Sequence, residues 1–207
     1  MGDPGRYTIP ARRHRVEEVI RRSRFITTVA RAPDGAAARA FIDEMRAEFD
    51  DATHNCWAFV GGPPGSTADV GMSDAGEPHG TAGRPMLDAL LHSGVGEIAA
   101  VVTRYYGGVQ LGRGGLQRAY SGGVTLALQT MPRTEHVRRV PLVVVIDYAA
   151  IDPVRRAAEE LDAEVSGEEY AAEVRLDVRV PADVLGAFRE RVLGITGGQA
   201  RFERPPG

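Results

Sequence analysis

Apolar residues recur along this chain with two periods, and the change of period marks its strands and helices. Residues 13–20 and 24–32 read as a strand pair turned at residues 21–23. Asp34 then offers an N-cap to a helix whose inner face holds Phe41, Ile42, Met45 and Phe49. His54–Val60 is a further strand. Residues 61–80 are dense in Gly, Pro, Ser and Asp and read as loop. A short helix is predicted within residues 80–92, with Met86, Leu87, Leu90 and Leu91 inward. Ile98–Tyr105 (IAAVVTRY) opens on a run of apolar residues and reads as a buried central strand. Residues 107–115 form a glycine loop. A helix over residues 116–131 follows, with Leu116, Ala119, Tyr120, Val124, Ala127 and Leu128 on its inner side.

The last third has a cleaner pattern. Residues 140–148 are a buried strand. Asp152-Pro153 supplies an N-cap and a proline at the first helical position, and Val154, Ala157, Ala158 and Leu161 share one helical face. Residues 163–170 are a weaker strand. Ala172, Val174, Leu176, Val178 and Val180 then alternate with Glu173, Arg175, Asp177 and Arg179, which makes a strand with one dry and one wet face. Pro181-Ala182-Asp183 opens a second helix with Val184, Leu185, Phe188 and Val192 inside and Gly194 as its stop, and residues 199–203 close with a short strand. The order βαββαβ predicts a ferredoxin-like α+β sandwich. Residues 132–138 are polar and break both periods, so two domains are expected, 1–133 and 137–207.

Composition narrows the chemistry. No run of about 18 apolar residues exists, so no membrane span is predicted, and the N-terminal stretch lacks the apolar core of a secretory signal. The single cysteine, Cys56, excludes an internal disulfide and a multi-cysteine zinc site. A reducing cytoplasm is the expected setting. All 25 basic residues are arginine, which excludes a Schiff-base lysine and a phosphate-loop lysine. The net charge of −3 gives no global attraction to nucleic acid. It is unevenly spread: residues 1–133 carry 15 arginines against 14 acids, and the remainder 10 against 14.

Three constellations carry candidate chemistry. The first is a strand, glycine loop and helix, with Gly107, Gly108, Gly112, Gly114 and Gly115 beside Arg104, Arg113 and Arg118. Glycine lets backbone N–H groups approach a ligand, and a helix start presents free donors and a positive dipole end, which together suit an anion. The spacing is neither a Walker loop nor a dinucleotide fingerprint, and the same glycines also fit a tight turn with close helix packing. The second is the segment of residues 73–85, where Asp74 and Glu77 read as an acid/base pair, with His79 beside them, or as turn residues folding onto their own backbone. Thr81 or Ser73 can cap the next helix, and Arg84 follows. The third is His54 and Cys56, which share one face of a strand. The apolar neighbours of Cys56 predict a buried, inert thiol.

Four stretches resemble the IMPACT/YigZ family: residues 23–26, residues 51–59 (DATHNCWAF), residues 73–87 (SDAGEPHGTAGRPML) and residues 101–120 (VVTRYYGGVQLGRGGLQRAY). The final third resembles the second domain of bacterial members. The resemblance implies a first domain similar to the β-α fold of a small-subunit ribosomal protein and of elongation factor G domain IV, and a second similar to that factor's domain V. Ala75 stands where the family commonly has Asp, so a metal site needing two adjacent acids is not expected here. Relatives in eukaryotes are associated with control of translation initiation, through a domain that a chain of this length does not include.

No activated catalytic group is evident, and no cofactor or metal is expected. The leading expectation is a non-enzymatic cytoplasmic binding protein linked to translation. It would dock RNA phosphate or a ribosome-associated partner through the glycine/arginine loop: Arg104, Gly107, Gly108, Gly112, Arg113, Gly114, Gly115 and Arg118. Asp74, Glu77, Thr81 and Arg84 are secondary candidates. The alternative is an enzyme or sensor for a small phosphorylated ligand at the same loop.

Overall fold

The structure, a computed structural model, describes residues 5–204. The outer ends of both expected domains, residues 1–4 and 205–207, lie outside the described residues. The chain divides into two compact units. One comprises residues 7–136. The other comprises residues 137–204 together with Gly5 and Arg6.

In the first, β1 (Arg6–Pro10), β2 (His14–Ile20), β3 (Ser23–Arg31), α1 (Gly35–Glu48), β4 (His54–Val60), β5 (Val70–Ser73), α2 (Gly83–Leu91), β6 (Ile98–Tyr105), α3 (Arg113–Thr130) and β7 (Arg133–Val137) follow in order. Five strands form one antiparallel sheet in the order β2-β3-β6-β4-β5, and β1 pairs separately with β7. The central position of β6 explains the apolar run of its first five residues, because both of its faces are covered. Ala99 and Val101 pack with Phe41, Ile42 and Met45 of α1. Ile98, Ala100 and Val102 pack with Met86 and Leu90 of α2 and Tyr120 and Val124 of α3. The result is three layers, helix on sheet on helix pair. Asp34 caps α1 as expected, accepting a hydrogen bond from the Ala37 N–H at 2.8 Å.

The second unit contains β8 (Arg139–Ile146), α4 (Ile151–Glu160), β9 (Glu164–Tyr170), β10 (Val174–Pro181), α5 (Leu185–Ile195) and β11 (Arg201–Glu203). The element order is the βαββαβ read from the sequence, with sheet order β11-β8-β10-β9. Val174, Leu176, Val178 and Val180 of β10 all face one core with Val154, Phe188 and Val192. The period-two alternation therefore points its dry face at both helices.

Four expectations need correction. Asp152 is not an N-cap: α4 begins at Ile151, with Ala150 at the cap position and no side-chain cap, so Asp152 and Pro153 lie in its first turn. Residues 61–80 are not all loop: β5 adds four residues to the edge of the sheet, pairing with β4 from Trp57 opposite Ser73 to Val60 opposite Val70. Residues 132–138 are not an open linker, because β7 occupies most of them. Its first three residues stay exposed, so no apolar alternation betrays it. Finally, α3 begins at Arg113, three residues before Leu116. Two glycines in its first turn disguise the start, since glycine disfavours helix by about 1 kcal/mol relative to alanine.

The C-terminal unit has its own core, and Arg6 reaches it through exposed ion pairs to Asp162 and Asp183, both at 3.0 Å. Exposed pairs contribute about 0–1 kcal/mol each. A fragment starting at residue 137 is therefore expected to give a single cooperative thermal transition by circular dichroism. A fragment that shows none, where the whole chain is folded, contradicts the division.

Candidate functional site

The site begins at the end of the central strand. Antiparallel register sets Arg104 of β6 opposite Phe25 of β3 and His54 of β4. Period two puts its side chain on the face shared with Ala100 and Val102, toward α2 and α3. A guanidinium there must be paired, because a lone buried charge is too costly. Glu77 pairs it: Arg104 is 5% exposed and Glu77 8%, and an Arg104 NH donates to Glu77 Oε1 at 2.5 Å. The same oxygen accepts from the Tyr120 hydroxyl of α3 at 2.8 Å, and His54 Nε2 lies 4.0 Å away. His54 Nδ1 contacts the Ala75 carbonyl at 2.9 Å. A carbonyl only accepts, so Nδ1 carries the proton. The Arg104 guanidinium lies over the rings of Phe25 and Tyr106, 5.4 and 5.3 Å from their centroids. Cys56 nearby is buried, as expected; burial pushes its thiol up to about 12, and it donates to the Asp74 carbonyl.

Above this buried group lies a cavity of about 520 Å³. Its walls come from the start of β4 (Thr53, His54), from Glu77 and Pro78, from the end of β6 (Arg104, Tyr106), and from residues 110–113 with Leu116. A smaller concavity of about 190 Å³ on another side of the α3 start is lined by Ile20, Arg21, Leu111, Gly115, Arg118 and Ala119.

The α3 start itself is uncapped by any side chain. Gly112 occupies the N-cap at φ 73°, a left-handed conformation that glycine adopts without strain. The first helical bond runs from the Leu116 N–H to the Gly112 carbonyl at 2.9 Å. Among the described residues, the N–H groups of Arg113, Gly114 and Gly115 have no acceptor. Arg113 is exposed and donates to the His79 carbonyl at 2.8 Å. Arg118 is exposed without a partner among the described residues.

Some predicted site residues are placed otherwise. Arg104 is buried and held by Glu77, and reaches the α3 start only as a fellow wall of one cavity with Gly112 and Arg113. Gly107 is a packing residue: a Cβ there would sit 2.0 Å from the Arg22 carbonyl, and its N–H already donates to Ser23 Oγ at 3.2 Å. Gly108 is exposed at φ 80°. Asp74 is a structural carboxylate, accepting from the N–H groups of Gly80, Ala82 and Gly83 at 2.8–3.0 Å. It thereby caps α2, which neither Thr81 nor Ser73 does. Thr81 is buried and donates to the Pro78 carbonyl at 2.6 Å. Arg84 is exposed and pairs with Asp88 along its own helix. The His79 side chain is fully exposed, 3.8 Å from Asp74. Among the described residues, no group of three His, Cys, Asp or Glu is placed to hold a metal, and no helix is long and apolar enough to cross a membrane.

The sequence pattern gave no sign of Thr53, Gln110, Leu111 and Arg21 as site walls. The register of β4 on β6 brings Thr53 and His54 beside Arg104, and no local motif signals it.

This three-layered unit followed by a βαββαβ unit is a two-domain mixed α/β protein, and comparison with known proteins gives it a family. The Impact N-terminal domain profile matches residues 21–128, and the profile of a domain of unknown function, DUF1949, matches residues 144–199. The chain is 41% identical over 196 residues to the IMPACT family member YigZ of Escherichia coli, covering 95% of this chain and 96% of that one. It is 33% identical over 184 residues to the IMPACT family member YvyE of Bacillus subtilis, covering 89% and 84%. A crystal structure described as that of a hypothetical protein superposes with a TM-score of 0.69 at 38% identity, covering 98% of both chains. The chain belongs to the IMPACT family.

This geometry makes two statements about stability that denaturation can check. Removing one partner of a buried ion pair leaves the other charge uncompensated, so Glu77→Ala is expected to cost about 3–5 kcal/mol in chemical denaturation. Glu77→Gln keeps an acceptor for Tyr120 and is expected to cost less. For Asp74, burial works to raise the carboxyl, but the three backbone N–H groups and His79 outweigh it and hold it below the ordinary aspartate value. A depressed folded value means stability that is present above the unfolded value, about 3.9, and is lost as pH falls through the folded one. Asp74→Ala should thus lower the melting temperature at neutral pH, with the deficit shrinking below about pH 4. A deficit that stays constant down to acid pH contradicts this.

Proposed function

We propose that this chain is a non-enzymatic, translation-associated protein that docks the phosphate backbone of RNA around the start of α3. The link to translation rests on the resemblance to elongation-factor and ribosomal folds, an analogy of fold. The phosphate reading rests on charge placement. In the first unit, Arg13, Arg15, Arg24, Arg31, Arg46, Arg84 and Arg104 are each paired with a carboxylate. Arg21, Arg22, Arg113 and Arg118 are exposed and have no carboxylate partner among the described residues, and the same holds of Arg12, Arg39 and Arg133 elsewhere in the unit. Arg21 and Arg118 line the smaller concavity with Gly115, and Arg113 sits on the first turn of α3. The two unneutralised arginines of α3, Arg113 and Arg118, on the helix whose first N–H groups are unpaired, are the observation that carries the reading. Guanidiniums match phosphate bidentately, and the helix start adds a favourable dipole.

The competing reading, an enzyme or sensor with Asp74, Glu77 or His79 as acid/base, loses its pair of carboxylates. Asp74 is occupied by backbone donors, and Glu77 by Arg104 and Tyr120.

Arg113→Ala and Arg118→Ala are each expected to weaken binding of single-stranded RNA by about 1–3 kcal/mol, the range for charge-assisted hydrogen bonds. The slope of log K against log salt should become shallower by about 0.7 for each phosphate that the variant no longer neutralises. Folding stability should move by no more than about 0.5 kcal/mol. Wild-type affinity and salt slope in both variants, measured by fluorescence anisotropy, overturn the reading.

A further inference from the structure

We infer that the cavity above Arg104 is a nucleobase pocket, into which a single-stranded RNA held at the α3 start turns one base against Tyr106. The inference rests on the phosphate-docking reading and names what that site takes beyond phosphate. The cavity, about 520 Å³, falls in the size range of small-molecule sites, roughly 300–1,000 Å³. Arg113 lines it and also stands at the α3 start, so a nucleotide whose phosphate meets that start has its base within the cavity's reach.

The lining has the composition a base needs. Tyr106 leaves 47% of its surface in solvent. Its backbone N–H is fixed to Thr53 Oγ1 at 3.0 Å, and its ring lies over the Arg104 guanidinium. The ring is therefore already ordered, and stacking on it costs little additional side-chain entropy. Pro78, Leu111 and Leu116 give apolar walls. Gln110 also lines the cavity and is exposed, with no partner among the described residues. Its amide offers both donors and an acceptor to a base edge. Arg104 also lines the cavity, and its Nε is buried with no hydrogen-bond acceptor, a state in which buried donors are rarely left.

The test uses the full chain with three probes at one salt concentration: a short oligoadenylate, the same strand with abasic riboses, and adenosine monophosphate. Wild type is expected to bind the oligoadenylate about tenfold to a hundredfold more tightly than the abasic strand, the loss that goes with one base–aromatic stack. Tyr106→Ala should erase that preference while leaving the salt slope unchanged, and Tyr106→Phe should keep it. Gln110→Ala, on an exposed loop, serves as a second variant and should reduce the preference. Equal binding of the two strands with a steep salt dependence overturns the pocket and leaves phosphate docking standing. Binding of adenosine monophosphate that is lost in Tyr106→Ala, with no strand bound, keeps the pocket and overturns the RNA reading. Binding of none of the three overturns both.

Discussion

One buried ion pair organises the first unit's functional end. Arg104 and Glu77 come from segments 27 residues apart and meet between the sheet and α3. Neither charge can remain there without the other, so the segment carrying Glu77 is drawn against the end of β6. The Tyr120 hydroxyl on the same carboxylate ties in α3, and the rings of Phe25 and Tyr106 enclose the guanidinium. The cavity walls are thus positioned by an electrostatic requirement below them. Desolvation makes such a pair weak as a net source of stability. Its contribution here is geometric, holding three elements at fixed separations.

The sequence revealed whatever the core dictates. β4 and β6 have the bounds expected from the sequence, because each holds a run of apolar residues that the core covers and each is flanked by glycine or polar loop residues. The Asp34 cap and the βαββαβ order were legible for the same reason: each has a local signal, a capping side chain or a clean period. What was hidden depends on partners distant in the chain. β5 is a strand because β4 lies beside it, and Gly71 is there because a Cβ would meet the Phe59 ring at 2.4 Å. The first turn of α3 is helical despite Gly114 and Gly115. Gly123, further along it, admits the close approach of Thr27 from β3.

The candidate site was half legible. Its glycines and arginines stood out by composition, and the segment of residues 73–85 by its density of polar residues. Composition could not assign their duties. Asp74 and Glu77 look alike in sequence, yet one serves backbone amides and the other a guanidinium. Arg104 and Arg113 look alike too, yet one is buried and neutralised while the other faces solvent. The difference lies in strand register and helix start, which only the folded chain sets.

The contact of Gly107 with the Arg22 carbonyl has a wider consequence. It locks the β2–β3 turn, with Arg21 and Arg22 at φ 45° and 67°, to the backbone leaving β6. The two loops are thereby joined backbone to backbone. Positions 108, 112 and 114 have open space or loose contact where a side chain would go, whereas position 107 has none. Gly108 and Gly112 sit at φ 80° and 73°, where a side chain is strained however much room it has, so of these positions the first helical turn at 114 is where a lineage or a mutant library can vary the displayed chemistry.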